Sequence, residues 1–154
     1  KKISIAALKY YLLKFSAHKD FTFDPKESVS FEGDTGPYIQ YTFVRANKIL
    51  KRMRLNHKNI SYNKLTNPQE FNLIKKMADF PEILEKSSKH LSPHVLAEYS
   101  YQLASQFNQF YEHCQVIKEP NIYTLHTRLA LVQAYSIVIK KALNLLGIET
   151  VNEM

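Results

Sequence analysis

The chain has 154 residues, 45% of them hydrophobic, with nine Phe, ten Tyr and no Trp. That is enough for one buried core and too apolar for a disordered segment. Twenty-one Lys and Arg against fourteen Asp and Glu leave a net charge of +7. Three glycines argue for long helices and against a β-rich or phosphate-loop fold. The single cysteine, Cys114, excludes an internal disulfide and suits a reducing, cytoplasmic compartment. No apolar run approaches a membrane span, and no signal peptide is recognisable. The chain opens Lys1-Lys2-Ile3, without an initiator Met, and reads as a piece of something longer.

In chain order, Ile3 to Phe15 reads as a helix with Ile5, Leu8, Leu12 and Phe15 on its core face. Ser16 to Phe31 reads as irregular or extended, with a turn at Asp24-Pro25. Gly33 and Gly36 mark a bend. Thr35 then caps a helix from about Pro37 to Leu55, with Pro37 in its first turn. At 3.6 residues per turn, Ile39, Phe43, Ala46, Leu50 and Met53 form its apolar stripe. Asn56 to Thr66 is polar and reads as a loop.

Asn67-Pro68-Gln69-Glu70 carries the residues of a capping box and starts a helix to about Asp79. Pro81 starts another, to about His90. Ser92-Pro93 starts a long one, with Leu96, Leu103, Phe107, Phe110, Cys114 and Ile117 at heptad-like spacing. After a break at Pro120, the last helix runs from Thr124 to Leu146 and ends at Gly147, the C-terminal cap. It is apolar on two faces, through Leu125, Leu129, Val132, Ser136, Ile139, Leu143 and Leu146, and through Leu131, Ala134, Val138, Ala142 and Leu145. The expected architecture is all-α: an antiparallel bundle of five to seven helices around the last one.

Function concentrates on the helix after Gly36. Tyr38, Tyr41, Arg45, Lys48 and Arg52 share a stripe pointing away from its apolar face. Aromatic rings for stacking alternate there with cations for phosphate, the combination that single-stranded nucleic acid requires. Thr35 to Gln69 contains no acid and seven cations, Arg45, Lys48, Lys51, Arg52, Arg54, Lys58 and Lys64. The remainder of the chain is therefore neutral, and the whole net charge sits in one segment, the footprint of a polyanion site. The competing reading is a solvated helix face with tyrosines at a core edge.

Catalytic constellations are missing. His90 and His94 are separated by the helix break at Ser92-Pro93. His113 and Cys114 are sequence neighbours and diverge by about 100° on a helix. Cys114 follows the apolar stripe and reads as a structural thiol. One Cys and scattered His give no zinc spacing, and the carboxylates Asp20, Asp24, Glu82 and Glu85 read as capping or solvated groups.

Three stretches resemble arginyl-tRNA synthetase: Phe23 to Arg45 (FDPKESVSFEGDTGPYIQYTFVR), Pro93 to Ile117, and His126 to Met154. The first is similar to that family's signature at the junction of catalytic core and anticodon-binding domain, and matches occur in order over nearly the whole chain. The GDTGPY segment and the LLG tail favour the arginyl enzyme over the cysteinyl and methionyl ones, which have related helical domains. The resemblance implies a class I aminoacyl-tRNA synthetase with a DALR-type anticodon-binding domain, joining arginine to its tRNA with ATP and magnesium. The HIGH-type and KMSKS-type motifs would lie upstream. Residues 1–31 would then be the tail of the catalytic or stem-contact region, and 32–154 the anticodon-binding bundle. This piece would hold no cofactor and act as a monomer away from membranes.

By position, Tyr38, Tyr41 and Arg45 match the family's GPYxQYxxxR helix, which faces the anticodon loop. Met154 matches a terminal Met near the anticodon bases, and Tyr111 lies on a helix resembling another anticodon-contacting element. Lys48 and Arg52 extend the basic face toward phosphates. Thr42-Phe43-Val44 departs from the usual Ala-His-Ala-like residues, and apolar Phe43 removes any polar role for the usual His. Arg128 matches an Arg near the start of the last helix, where a role in holding helices together outweighs RNA contact. The alternative reading is a basic helical module for an acidic protein or another RNA.

Overall fold

Every helix but the first begins at or beside a group that satisfies or removes free N–H donors. The computed structural model describes residues 1–154 and contains seven α-helices, two 3-10 turns and no strand. They are α1 (Lys2–Leu13), α2 (Pro25–Ser28), α3 (Gly36–Arg52), α4 (Pro68–Ala78), α5 (Phe80–Lys89), α6 (Pro93–His113) and α7 (Ile122–Leu145). Asp24 accepts from the Lys26 and Glu27 amides, Thr35 Oγ1 from Tyr38, and Asn121 from Tyr123 and Thr124. Asn67 accepts from Gln69 while Glu70 reaches back to the Asn67 amide at 2.8 Å, completing the expected capping box. Gly147 takes φ +69° past the end of α7, and Ile148 N–H bonds back to the Leu143 carbonyl at 2.9 Å.

The bundle is all-α, as expected, but its hub differs. We expected α7 at the centre; instead α6 touches α1, α3, α4, α5 and α7, whereas α7 packs on α3, α4, α6 and the two turns. The amphipathic pattern of α6 conceals this, because Ala97 and Ala104 add a second contact stripe beside Leu96, Leu103, Phe107 and Phe110, and all six are buried. At Ala97 the helix meets α1, the Tyr10 hydroxyl donating to its carbonyl at 3.0 Å. Ile117 is 36% exposed and Val116 takes its core position, because α6 ends at His113 and the helical period lapses there. On α7, Leu145 is 62% exposed, so its second stripe is only partly buried.

The α1 expectation is reversed. Ile5, Leu8 and Leu12 are about half exposed, and Ala6, Ala7, Tyr10 and Tyr11 face the core. The reason is the α1–α3 approach. A Cβ on Gly36 would lie 2.6 Å from the Ala6 carbonyl oxygen and 2.9 Å from the Tyr10 Cβ, so this glycine serves backbone proximity, while Gly33 (φ +75°) makes the bend. The Asn56–Thr66 loop contains the 3-10 turns His57–Asn59 and Tyr62–Lys64. It is tied to α7 by Asn56 N–H to His126 Nδ1 and Ser61 N–H to Thr127 Oγ1.

Arg128 joins three segments. Its Nε donates to the fully buried Glu70 carboxylate at 2.6 Å, and its Nη1 to the Gln115 carbonyl and to Glu119. With its side chain 11% exposed, it is a structural cation, in line with the sequence reading. Two stability outcomes follow. Arg128→Met, which leaves Glu70 charged in the interior, lowers stability by about 3–5 kcal/mol in urea unfolding. Gly36→Ala costs about 1–3 kcal/mol by forcing α1 away from α3, and an unchanged midpoint in either variant refutes the corresponding contact.

Candidate nucleic-acid interface

Helices α3 and α6 run together so that two surface stripes meet. Tyr38, Tyr41 and Arg45 come from α3; Tyr101, Asn108 and Tyr111 come from α6. Asn108 sits at the join. Its Oδ1 accepts from Arg45 Nη1 at 2.7 Å and its Nδ2 donates to the Tyr38 hydroxyl at 2.8 Å. Arg45 Nη2 donates to the Tyr41 hydroxyl at 2.8 Å. The guanidinium carbon lies 4.8 Å from the Tyr41 ring centroid and 4.7 Å from that of Tyr111. Arg45 is thus held over two rings and fixed at both terminal nitrogens, cation–π contact adding to hydrogen bonding.

Exposure divides the set. Tyr41 and Tyr111 are 37% and 40% exposed, enough ring surface for a stacking base, whereas Tyr38 is half-buried against the core and the Tyr101 ring. Burial pushes the Tyr38 phenol above its ordinary value, and the Asn108 bond only partly offsets this, so the group stays neutral at physiological pH. Tyr38 therefore departs from the outward-pointing position read from the helical wheel: it forms the wall behind Tyr41. Phe43, at the family-divergent triplet, is in the core, as are Thr42 and Val44. The Thr42 hydroxyl meets that of Tyr135 at 2.7 Å.

The C-terminal tail brings Met154 to the same place. Gln40 Nε2 donates to the Glu149 carbonyl at 2.6 Å, Lys2 pairs with Glu149 at 2.9 Å, and Ile148 and Val151 are buried. Met154 then lines a shallow depression with Tyr41, Phe31, Ile3 and Glu32. Past Arg45, Lys48 and Arg52 are exposed, and Arg52 borders a second depression with Tyr111, Gln115 and Ile117. Tyr38, Tyr41, Arg45, Tyr111, Met154 and Arg52 thus lie along one face, with Lys48 on the same α3 stripe.

Charge is arranged to match. The chain has seven ion pairs, and none involves Arg45, Lys48, Lys51, Arg52, Arg54, Lys58 or Lys64. Every cation of the acid-free window is uncompensated by a contacting carboxylate, so its field reaches solvent. Glu112, beside Tyr111 and Arg52, is the nearest qualification. The sequence reading missed Tyr101 and Asn108. A signal existed: Tyr101, Asn108 and Tyr111 recur at seven and three residues, on one side of α6.

Cys114 is buried, and burial, with some help from Glu70, raises its thiol to about 11, far from a nucleophile's range. No helix is long and apolar enough to cross a membrane.

The family described as the DALR anticodon binding domain matches residues 39–154, most of this chain. The chain belongs to that family. Among curated proteins, it is 41% identical over 154 residues to the arginine–tRNA ligase of Clostridium acetobutylicum, covering 100% of this chain and 27% of that one. The same enzyme of Borrelia duttonii is 39% identical over 155 residues, covering 99% and 26%. The chain therefore spans about a quarter of the length of these relatives. Its fold superposes on the arginyl-tRNA synthetase of Thermus thermophilus with TM-score 0.91 and 31% identity, over 99% of this chain and 27% of that structure. The Plasmodium falciparum arginyl-tRNA synthetase gives 0.85 and 32%, over 97% and 27%.

The thiol yields a pH test. A raised value keeps Cys114 protonated at pH 8, so iodoacetamide alkylates the folded chain slowly, and the rate climbs only as pH nears about 11. The urea-unfolded chain reacts with the ordinary thiol profile. Equal rates for both at pH 8 contradict the assignment of Cys114 to the core.

Proposed function

We propose that this chain is the tRNA anticodon-binding part of an arginine–tRNA ligase, the enzyme that attaches arginine to its tRNA using ATP. The observation carrying the reading is the fixed Arg45 between the Tyr41 and Tyr111 rings, facing solvent inside a zone of unpaired cations. An unstacked loop base needs a ring or guanidinium plane to lie on, and the neighbouring phosphates need cations. Tyr41, Tyr111 and Met154 would receive the bases. Tyr38 would back Tyr41, and Arg45 would stack and donate. Lys48 and Arg52 would face the phosphates. Residues 32–154 would form the anticodon-binding bundle and 1–31 the lead-in from the catalytic region.

The exposed Ile5–Leu8–Leu12 seam on α1 suits this reading, because a preceding domain of the longer enzyme would cover it. ATP and magnesium would belong to that domain. The residues present do not fit them: there is no glycine-rich phosphate loop and no group of three His, Cys, Asp or Glu able to hold a metal ion. The enzyme would work in the cytoplasm as a monomer. The acidic-protein alternative is disfavoured, since the exposed Tyr41 and Tyr111 ring surface offers stacking that a nucleobase uses and a carboxylate does not.

In the parent enzyme, Tyr41→Ala or Arg45→Ala raises KM for arginine tRNA by about tenfold or more, the loss of one stacked base, with helix content unchanged. Unchanged arginylation kinetics in both variants contradicts the proposal. Filter-binding competition between arginine tRNA and an unrelated tRNA over a salt series separates it from a general polyanion site, which shows no preference.

A further inference from the structure

Beyond the Tyr38–Tyr101 contact, the outer face of α6 turns toward α4 and forms a polar cleft. It is lined by Asn72, Lys75 and Lys76 from α4, Asp79 just past the end of that helix, and Tyr101, Gln102, Ser105 and Gln106 from α6. The cleft shares the Tyr101 ring with the interface already described, because that ring packs against Tyr38 with centroids 5.8 Å apart. The two sites are therefore neighbours across one helix, a separation of about 10 Å.

The lining has an unusual make-up. Lys75 is exposed and enters no ion pair, whereas Lys76 is occupied by Asp79 at 3.8 Å and by the Tyr99 ring. Three carboxamides line the cleft: Gln102 Nε2 donates to Glu98 at 3.0 Å, leaving its oxygen as acceptor, and the Gln106 Oε1 is buried without a hydrogen-bond partner, one of only two such side-chain atoms in the chain. Buried acceptors are normally satisfied, and an exception calls for a role. Carboxamides present a donor and an acceptor side by side, which matches the edges of nucleobases. An aromatic ring, a free cation and several amides together form the minimal set for one unstacked nucleotide.

We propose that the cleft between α4 and α6 is a second nucleotide subsite. In it Lys75 holds the phosphate, Tyr101 contacts the base face, and Asn72 and Gln106 read the base edge of an unpaired residue in the same RNA loop. This rests on the anticodon-loop reading and extends it, since it makes the domain read the loop on both sides of α6. Binding turns the Gln106 amide into the cleft and satisfies its unpartnered oxygen.

The test uses the parent enzyme and arginine tRNA carrying 2-aminopurine at one loop position at a time. In the unaltered enzyme, one position outside those quenched by Tyr41 and Tyr111 loses fluorescence on binding. Gln106→Leu restores that signal alone and weakens binding about fivefold. Lys75→Ala, a surface change that leaves the fold intact, reduces the slope of log affinity against log salt by about 0.7, one phosphate on a single strand. If Tyr41→Ala weakens binding while both cleft variants leave affinity, salt slope and every fluorescent position unchanged, the subsite is refuted and the anticodon reading stands. If Tyr41→Ala is also without effect, both fail.

Discussion

The arrangement depends on how closely α6 and α3 lie, because Asn108 can hold Arg45 and Tyr38 only at that spacing. An arginine on an isolated helix sweeps a large volume and loses about 2 kcal/mol of side-chain entropy when a ligand fixes it. Here that cost is met on folding. Two hydrogen bonds and two ring contacts set the guanidinium plane before any ligand arrives. The bundle in turn holds α6 in place, through the Tyr10 hydroxyl bonded to the Ala97 carbonyl and through the stacked Phe107 and Tyr135 rings, 3.9 Å apart.

The same logic explains why a neutral remainder surrounds a charged segment. The cations of residues 35–69 are spread along α3 and the following turns, and half of the fourteen acidic groups outside it are engaged in ion pairs elsewhere, although Glu112 and Glu32 border the face. Glu70 serves the α4 cap and Arg128, Glu119 serves Arg128, Glu27 serves Lys14, and Glu149 serves Lys2. Internal pairing of these carboxylates keeps them from neutralising the basic face. Glu70 is thus both a local capping residue and part of the long-range electrostatics, by being kept away from Arg52 and its neighbours.

Much of the fold was legible because local signals are strong. Thr35 and Asn67 start helices where their side chains can accept, and Gly147 stops one where φ is positive, whereas the last helix starts two residues before the expected Thr124, at Ile122, capped by Asn121. Tyr41, Arg45, Lys48 and Arg52 reach solvent as their period requires. What stayed hidden was pairwise geometry. No property of α1 alone shows that Ala6 and Tyr10 face inward while Ile5, Leu8 and Leu12 do not; that choice is made by Gly36, thirty residues on. Likewise Asn108 looks like an ordinary polar position until α3 is laid against it, and Tyr38 looks exposed until Tyr101 covers it.

The central claim is that the Tyr41 and Tyr111 rings flanking Arg45 form the surface on which loop bases stack. The most direct measurement is ring-selective NMR of this 154-residue chain with carbon-13-labelled tyrosine, titrated with the anticodon stem-loop of arginine tRNA. The account predicts that Tyr41 and Tyr111 ring signals shift upfield together as the RNA saturates, with the buried Tyr10 and Tyr135 rings unmoved. Binding that leaves Tyr41 and Tyr111 unshifted, or RNA that does not bind at all, would contradict it.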